Sequence, residues 1–494
     1  MALRSVLSIH PLRSHITAQY SSGITGQQVL ARRASLPFAR KFNSSTLLAQ
    51  PRPRRFKSGL ERHEEAETLR SEDLVNPSGR IYSPRRGRDD EDSDVLQQAV
   101  RAGLDRDSIA ELQDRLDRAK KPSIVWATLS TMALGYACYS TAAWYSVKNT
   151  EELKDQDRGR GRFWPNLASL WPVGETQALT AEESRLRVVR QEEIVKKAQS
   201  SARALSKLCD QLLLPQSLKQ SLSQAWLSIV AHYLNLSPGQ QAMVPVIAVN
   251  TAIFAASAAY SLRPLSRLGR LWSRTFIHSP SSGRHHTILT SSFAHSAPMH
   301  FLFNNLALWS FSATIFSSKP FLSSDEGILK HTSEASLAPH LLAFCALAGI
   351  SSGLLSHLVN AARWRFLAAR AGEAVARSKY GLTASLGSSG FAYSLLVMNA
   401  LAFPDAQVGL IFLPMISFPI AQGVLGLVAL DVVGVLRGWR MFDHWAHLGG
   451  AAFGYLYFKH GNDLWERKKA DWRKNWSFTM EYHSDLDAER ERKV

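Results

Sequence analysis

Apolar and polar residues are unevenly distributed along the chain. Residues 1–122 and about 148–240 are polar, and between and after them lie uncharged apolar runs. A membrane-crossing helix needs about 17–25 apolar residues. On that measure the candidate spans are Ile124–Val147, Met243–Leu262, His300–Phe316, Ala338–Ala361, Leu382–Phe403, Val408–Leu436 and Phe442–Phe458. Pro414 and Pro419 interrupt the sixth, which reads as an entry loop or half-turn followed by a helix to about Leu436. The pattern predicts an all-α polytopic membrane protein with seven helices. In the polar stretch, Thr180-Ala181-Glu182-Glu183 reads as a capping box. It opens a helix to about Leu214, stopped by Pro215, and a second covers Leu218–Leu234. Asp105–Lys121 reads as a polar helix leading into the first span.

Composition changes this picture at the N-terminus. The whole-chain mean hydropathy of -0.13 averages two unlike regions. Residues 1–60 hold eight Arg, two Lys and no acid, with abundant Ser, the composition of a mitochondrial transit peptide. No unbroken apolar core of a secretory signal is present there. Residues 61–122 are charged, with Asp89-Asp90-Glu91-Asp92 beside Arg85, Arg86 and Arg88, and read as largely disordered. The expected organisation is then 1–60 transit peptide, 61–122 charged matrix segment, 123–147 first transmembrane helix, 148–240 polar linker domain, 243–460 membrane core and 461–494 tail. The formal charge of +17 is scattered, with no basic face interleaved with aromatics, so nucleic-acid binding is not expected. Three cysteines offer no disulfide framework.

Loop charges predict an orientation. Arg263–Met299 holds five Arg and no acid, and Arg363–Lys379 holds five basic residues against Glu373. Ser317–Leu337, between them, holds two Lys against Asp325, Glu326 and Glu334. The positive-inside rule puts the Arg-rich loops and the N-terminus in the matrix and the C-terminus in the intermembrane space. The basic run Arg467-Lys468-Lys469 goes against this and is expected in a soluble extension.

Polar residues in the spans carry the candidate chemistry. Gly387-Ser388-Ser389-Gly390 opens one apolar stretch, and Asp443-His444-Trp445-Ala446-His447-Leu448-Gly449-Gly450 opens another. His300, Ser389 and His447 lie near the starts of three helices that begin on the same side, so they share one depth. Polar groups in a bilayer are costly and mark function. A serine hydroxyl needs a base, and His447 is the natural one. Gly387 and Gly390 permit close approach to the serine, and Gly450 and Gly454 suit tight helix packing. Tyr393, four residues beyond Ser389, is placed to stack on His447. His300 and Asn304, on one helix face, are candidate oxyanion donors with the Ser389 N–H. A Gly/Ser cluster in a membrane helix is commonly no more than a packing face. His444 and His447 lack the HExxH pattern and an evident acidic third ligand, so no metal is expected.

These residues resemble the rhomboid family of intramembrane serine proteases. His300-Phe-Leu-Phe-Asn304 is similar to its HxxxN motif, Gly387-Ser388-Ser389-Gly390 to its GxSG motif, and His447-Leu448-Gly449-Gly450 to its catalytic histidine motif. Tyr393 matches the tyrosine that packs on that histidine, and His295 a further family histidine. Trp272-Ser273-Arg274 resembles the WR motif with one residue inserted. Ser292–Phe311 and Gly438–Gly450 resemble the mitochondrial, presenilin-associated rhomboid-like branch, which Asp431 also fits, with no role assigned. The resemblance implies a six-helix core preceded by one extra helix (1+6). It also implies a Ser389–His447 dyad without an acid, a metal or a cofactor, and single-span inner-membrane proteins as substrates. Inactive relatives that bind or route membrane proteins without cutting them are the alternative, although those lack the serine or histidine.

Overall fold

The computed structural model describes residues 106–158, 181–261, 266–313, 315–318, 321, 332–410, 413–439 and 442–491. The stretch expected to be a transit peptide and most of the expected charged segment lie outside the described residues.

Helix α1 (Arg106–Asp117) precedes α2 (Val125–Arg158). The inward face of α2 is built from small residues, Ala127, Thr131, Gly135, Ser140 and Ala143, at helical spacing. Its large side chains, including Trp126, Leu129, Met132 and Tyr136, point outward. Small residues let backbones approach closely where apolar surroundings offer no hydrophobic driving force between helices. Helices α3 (Ala181–Gln211) and α4 (Gln216–Leu234) form an antiparallel hairpin, followed by α5 (Pro238–Ser261) and α6 (Arg267–Phe276). Then come α7 (Pro298–Phe311), α8 (Ala338–Ala371), α9 (Glu373–Tyr380) and α10 (Ser389–Ala402). Strands β1 (Gln407–Leu410) and β2 (Leu413–Pro419) pair antiparallel and lead into α11 (Ile420–Arg437) and α12 (His444–Glu491). Helices α5 (over Pro238–Ala258), α8 and α11 are long and apolar enough to cross a membrane, and α10 is a shorter apolar helix. The protein is a helical membrane protein.

Four sequence expectations change. The stretch from Leu382 does not start as helix: α10 begins only at Ser389. Ahead of it, Ser385 bridges to His278, Gly387 N–H donates to Ser291 O at 3.0 Å, and Gly387 has φ +126, a conformation that favours glycine. The break expected at the start of Val408–Leu436 is present, but the entry loop or half-turn is a β-hairpin ahead of α11, so the described fold is not strictly all-α. The helix expected over His300–Phe316 ends at Phe311. The last helix does not stop at Phe458 but runs to Glu491.

The segment expected to be a soluble tail is therefore packed, at least to Lys469. Lys469 is fully buried, with Nζ 2.5 Å from Glu334 Oε1 and 2.8 Å from Glu466 Oε1. Trp465 Nε1 donates to Glu334 Oε1 at 2.6 Å, and Ser146 Oγ on α2 donates to Glu334 Oε2 at 3.2 Å. Thr332 N–H and Oγ1 donate to Glu466. His340 stacks on Trp465 at 4.4 Å. Two carboxylates, one ammonium and their hydrogen-bond partners thus bind the α7–α8 connection, α2 and α12 at one end of the molecule.

Removing one partner of a buried ion pair strands the other charge, at a cost of about 3–5 kcal/mol. Lys469→Ala is expected to lower the thermal unfolding midpoint of the detergent-purified protein by several degrees. Lys469→Ala combined with Glu334→Gln and Glu466→Gln is expected to recover part of the loss. An unchanged midpoint in Lys469→Ala would show that the cluster holds nothing together.

Candidate active site

The site forms where the N-termini of α7, α10 and α12 meet. Asp443 caps α12: its Oδ1 accepts the Ala446 N–H at 3.1 Å and its Oδ2 accepts Ser356 Oγ at 2.6 Å. That fixes the first turn of α12, which carries His444 and His447. Helices α10 and α12 then touch backbone to backbone. A Cβ on Gly450 would lie 2.7 Å from Gly390 O, and one on Gly454 would lie 2.5 Å from Ser394 O. Ser394 Oγ closes the contact, 2.8 Å from Gly450 O. On the other side, a Cβ on Gly390 would lie 2.3 Å from Ser352 Oγ of α8. Only glycine fits these places, and that fit is what brings the serine to the histidine.

Ser389 Oγ lies 3.1 Å from His447 Nε2. His447 Nδ1 donates to Asp431 Oδ1 at 3.1 Å. A carboxylate only accepts, so the proton on His447 sits at Nδ1 and Nε2 is free to accept from the serine hydroxyl. Tyr393 stacks on the His447 ring with centroids 4.6 Å apart and planes 14° from parallel. Its hydroxyl donates to Asp431 Oδ2. His444 Nδ1 donates to Asp431 Oδ1 at 2.6 Å. Asp431, 3% exposed, therefore accepts three hydrogen bonds and orients both Tyr393 and His447.

The resemblance implied a dyad without an acid, and here a buried carboxylate stands behind the histidine. Sequence reasoning noted Asp431 but gave it no role. The signal was available: an acid within an uncharged apolar run faces a partner in the bundle. His444 was considered only as a metal ligand. It is a second donor to Asp431, and no metal-holding group of three or more His, Cys, Asp or Glu occurs among the described residues.

The other residues singled out surround Ser389. Ser388 is fully buried, its Oγ 3.0 Å from His295 Nε2, and does not face His447. His295 packs edge-on to His300 at 5.2 Å. His300 and Asn304 flank Gly387: a Cβ there would lie 2.8 Å from His300 Nε2 and 3.8 Å from Asn304 Nδ2. The Asn304 side chain is 7% exposed and its Nδ2 has no hydrogen-bond partner. Buried amide donors are normally satisfied, so an orphan beside a potential nucleophile has the character of a binding donor. Ser389 is the first residue of its helix, where the N–H has no intrahelical acceptor. Trp272 and Arg274 lie on α6, and Trp272 Nε1 is buried without a partner.

Residues 282–460 match the model of the rhomboid domain. The presenilin-associated rhomboid-like protein A, mitochondrial, of Danio rerio is 31% identical over 242 residues, 49% of this chain and 53% of that protein. The presenilin-associated rhomboid-like protein, mitochondrial, of Homo sapiens is 30% identical over 237 residues, 48% and 52% of the two chains. Rhomboid protein 1, mitochondrial, of Saccharomyces cerevisiae is 29% identical over 178 residues, 35% and 40% of the two chains. The matched region spans about half the length of the presenilin-associated relatives, and no solved structure matches. The stretch that matches the rhomboid domain contains Ser389, Asp431 and His447, and in this part the chain is similar to the mitochondrial presenilin-associated rhomboid-like proteins.

Proposed function

We propose that this chain is an intramembrane serine endopeptidase of the mitochondrial inner membrane that cuts membrane-anchored single-span proteins. The observation that carries the reading is the 3.1 Å approach of Ser389 Oγ to His447 Nε2, with His447 Nδ1 held by a buried carboxylate.

In this reading Ser389 Oγ attacks the scissile carbonyl carbon while its proton passes to His447 Nε2. The tetrahedral oxyanion takes hydrogen bonds from Asn304 Nδ2, His300 and the Ser389 N–H, donors set before the reaction begins. His447 then gives its proton to the departing amine, leaving Ser389 acylated. Water, deprotonated by His447, releases the acyl group and restores the serine. Asp431 stays ionised, keeps the proton at Nδ1 and stabilises the imidazolium formed in both steps. Substrate segments that unwind readily are favoured, because an intact helix keeps its carbonyls hydrogen-bonded.

The mitochondrial relatives and the acid-free, Arg-rich N-terminus support a mitochondrial address. The arrangement is taken as one helix, α2, ahead of a six-helix core. Loop charges support an N-terminus in the matrix and a site that opens to the matrix side.

Ser389→Ala in the full chain, reconstituted with a single-span inner-membrane protein, is expected to abolish cleavage, and Ser388→Ala to retain it. Cleavage that survives Ser389→Ala rules out the mechanism, and a wild-type protein that binds the substrate without cutting it favours the non-proteolytic alternative. Asp431→Asn keeps the shape but allows the wrong histidine tautomer. Its turnover rate is expected to fall roughly 10²–10⁴-fold at a similar KM, and a rate within threefold of wild type would remove Asp431 from the mechanism. Loss of one oxyanion donor costs about 10²–10³ in rate, so Asn304→Ala is expected to lower kcat in that range while the thermal midpoint holds.

A further inference from the structure

The α3–α4 hairpin plays no part in the chemistry above, yet its surface is unusual. The two helices pair through Trp226 Nε1, which donates to Ala198 O at 3.1 Å. No residue of α4 is buried. Leu218, Leu222, Trp226 and Ile229 recur every three or four residues and so form one stripe along α4, all exposed. The stripe continues into a shallow apolar groove between the helices, bounded by Ile194, Ala198 and Val230. At the turn of the hairpin Leu212 is 60% exposed and Leu213 91%. Leu213 also has φ 52, the left-handed conformation, where it ends α3 with Leu213 N–H donating to Asp210 O and Leu214 N–H to Cys209 O. Glycine is the usual residue at that position. An exposed leucine there gains nothing from water.

Two further observations indicate what covers this surface. The first is charge: Lys197 pairs with Glu193 at 2.6 Å and Lys219 with Asp210 at 2.7 Å, which leaves Lys196, Arg203 and Lys207 as the basic excess of residues 192–234 over the remaining acid Glu192. The second is position. Only Asn235–Ser237 separate α4 from α5, which is long and apolar enough to cross the membrane, so α4 ends at the membrane boundary. The base of the hairpin is also tied down. Ser333 Oγ donates to Glu182 at 2.8 Å, and Lys154 Nζ lies 3.2 Å from the same carboxylate. These ties are beside the Glu334–Lys469 cluster, at the end of the molecule away from Ser389.

We propose that the α3–α4 hairpin is a lipid-binding element that lays its leucine and tryptophan stripe into the headgroup region of the protein's own bilayer, with its lysines and arginine meeting anionic phospholipid. Amphipathic helices with basic residues beside an apolar face, and with interfacial tryptophan, bind membranes in this way, by buried apolar area plus attraction to anionic lipid. A second protein is a poorer fit, because a stripe that runs directly into a spanning helix already has lipid beside it. The inference is independent of proteolysis, and its test reads lipid contact alone.

The test uses the full chain in vesicles of phosphatidylcholine with and without phosphatidylglycerol. An environment-sensitive fluorophore is placed at Leu222→Cys and, as a second site, Ile229→Cys. Gln224→Cys, on the opposite face of α4, is the control, and labelling of the unsubstituted chain gives the background. The expected result is a blue-shifted emission at 222 and 229 that is lost to doxyl-labelled lipid and protected from aqueous iodide, with the reverse at 224. The lipid quenching is expected to be stronger with phosphatidylglycerol and to lose that dependence when Lys196, Arg203 and Lys207 are all replaced by Glu. Iodide quenching at all three sites would overturn the proposal. So would a blue shift insensitive to both quenchers, which would mean that protein, a second copy or a partner, covers the stripe.

Discussion

A single buried carboxylate sets the geometry on which the site depends. Asp431 lies on α11, an otherwise uncharged apolar helix up to its terminal Arg437, and a charge there is costly unless it is fully hydrogen-bonded. It is bonded by Tyr393 of α10 and by His444 and His447 of α12. Satisfying that one group therefore locks three helices in register. The register requires close packing. Gly434 on α11 faces His444, where a Cβ would lie 2.4 Å from the ring, and Gly450 and Gly454 bring α12 against α10. The small residues allow the helices to meet, and the carboxylate determines at what rotation they meet. Both are needed for Ser389 Oγ to reach His447 Nε2.

The molecule is tied by polar clusters at two ends. At one end the Asp431 cluster lies beside Ser389, and His357 of α8, itself bonded to His278, holds the Ser123 carbonyl at the start of α2. At the other end Glu334, Glu466 and Lys469 hold α2 to α8 and α12. Helix α2, outside the matched rhomboid domain, is thus bonded at both ends. It is part of the same packed body as the core, and its small-residue face lies against α8.

Much of this was legible in the sequence. His300, Ser389 and His447 each fall near the start of an apolar stretch, and among the described residues three of the seven apolar runs overlap helices long and apolar enough to cross a membrane. Tyr393 was placed on the ring of His447 by its four-residue spacing from Ser389. What was not legible has physical causes. Apolar composition cannot distinguish a helix from an extended approach to it, so the pairing of Ser385 with His278 and the positive φ of Gly387 shifted the start of α10 by seven residues. Prolines 414 and 419 signalled a break, but not that it would be a β-hairpin. The basic run at Arg467–Lys469 looked like a solvated tail because Glu334, which pairs with Lys469 beside the nearby Glu466, is distant in sequence. Asp431 was visible as a lone acid, but its bond to His447 spans two helices and depends on their rotation.

The central claim is that Ser389 is a nucleophile activated by a histidine whose proton is held on Nδ1 by Asp431. The most direct measurement is active-site modification of the detergent-purified full chain by a fluorophosphonate, located by peptide mass spectrometry. The account requires a single adduct on Ser389, formed at a rate that falls to background in His447→Ala. An adduct on Ser388, or labelling of Ser389 that is as fast without His447, would contradict it.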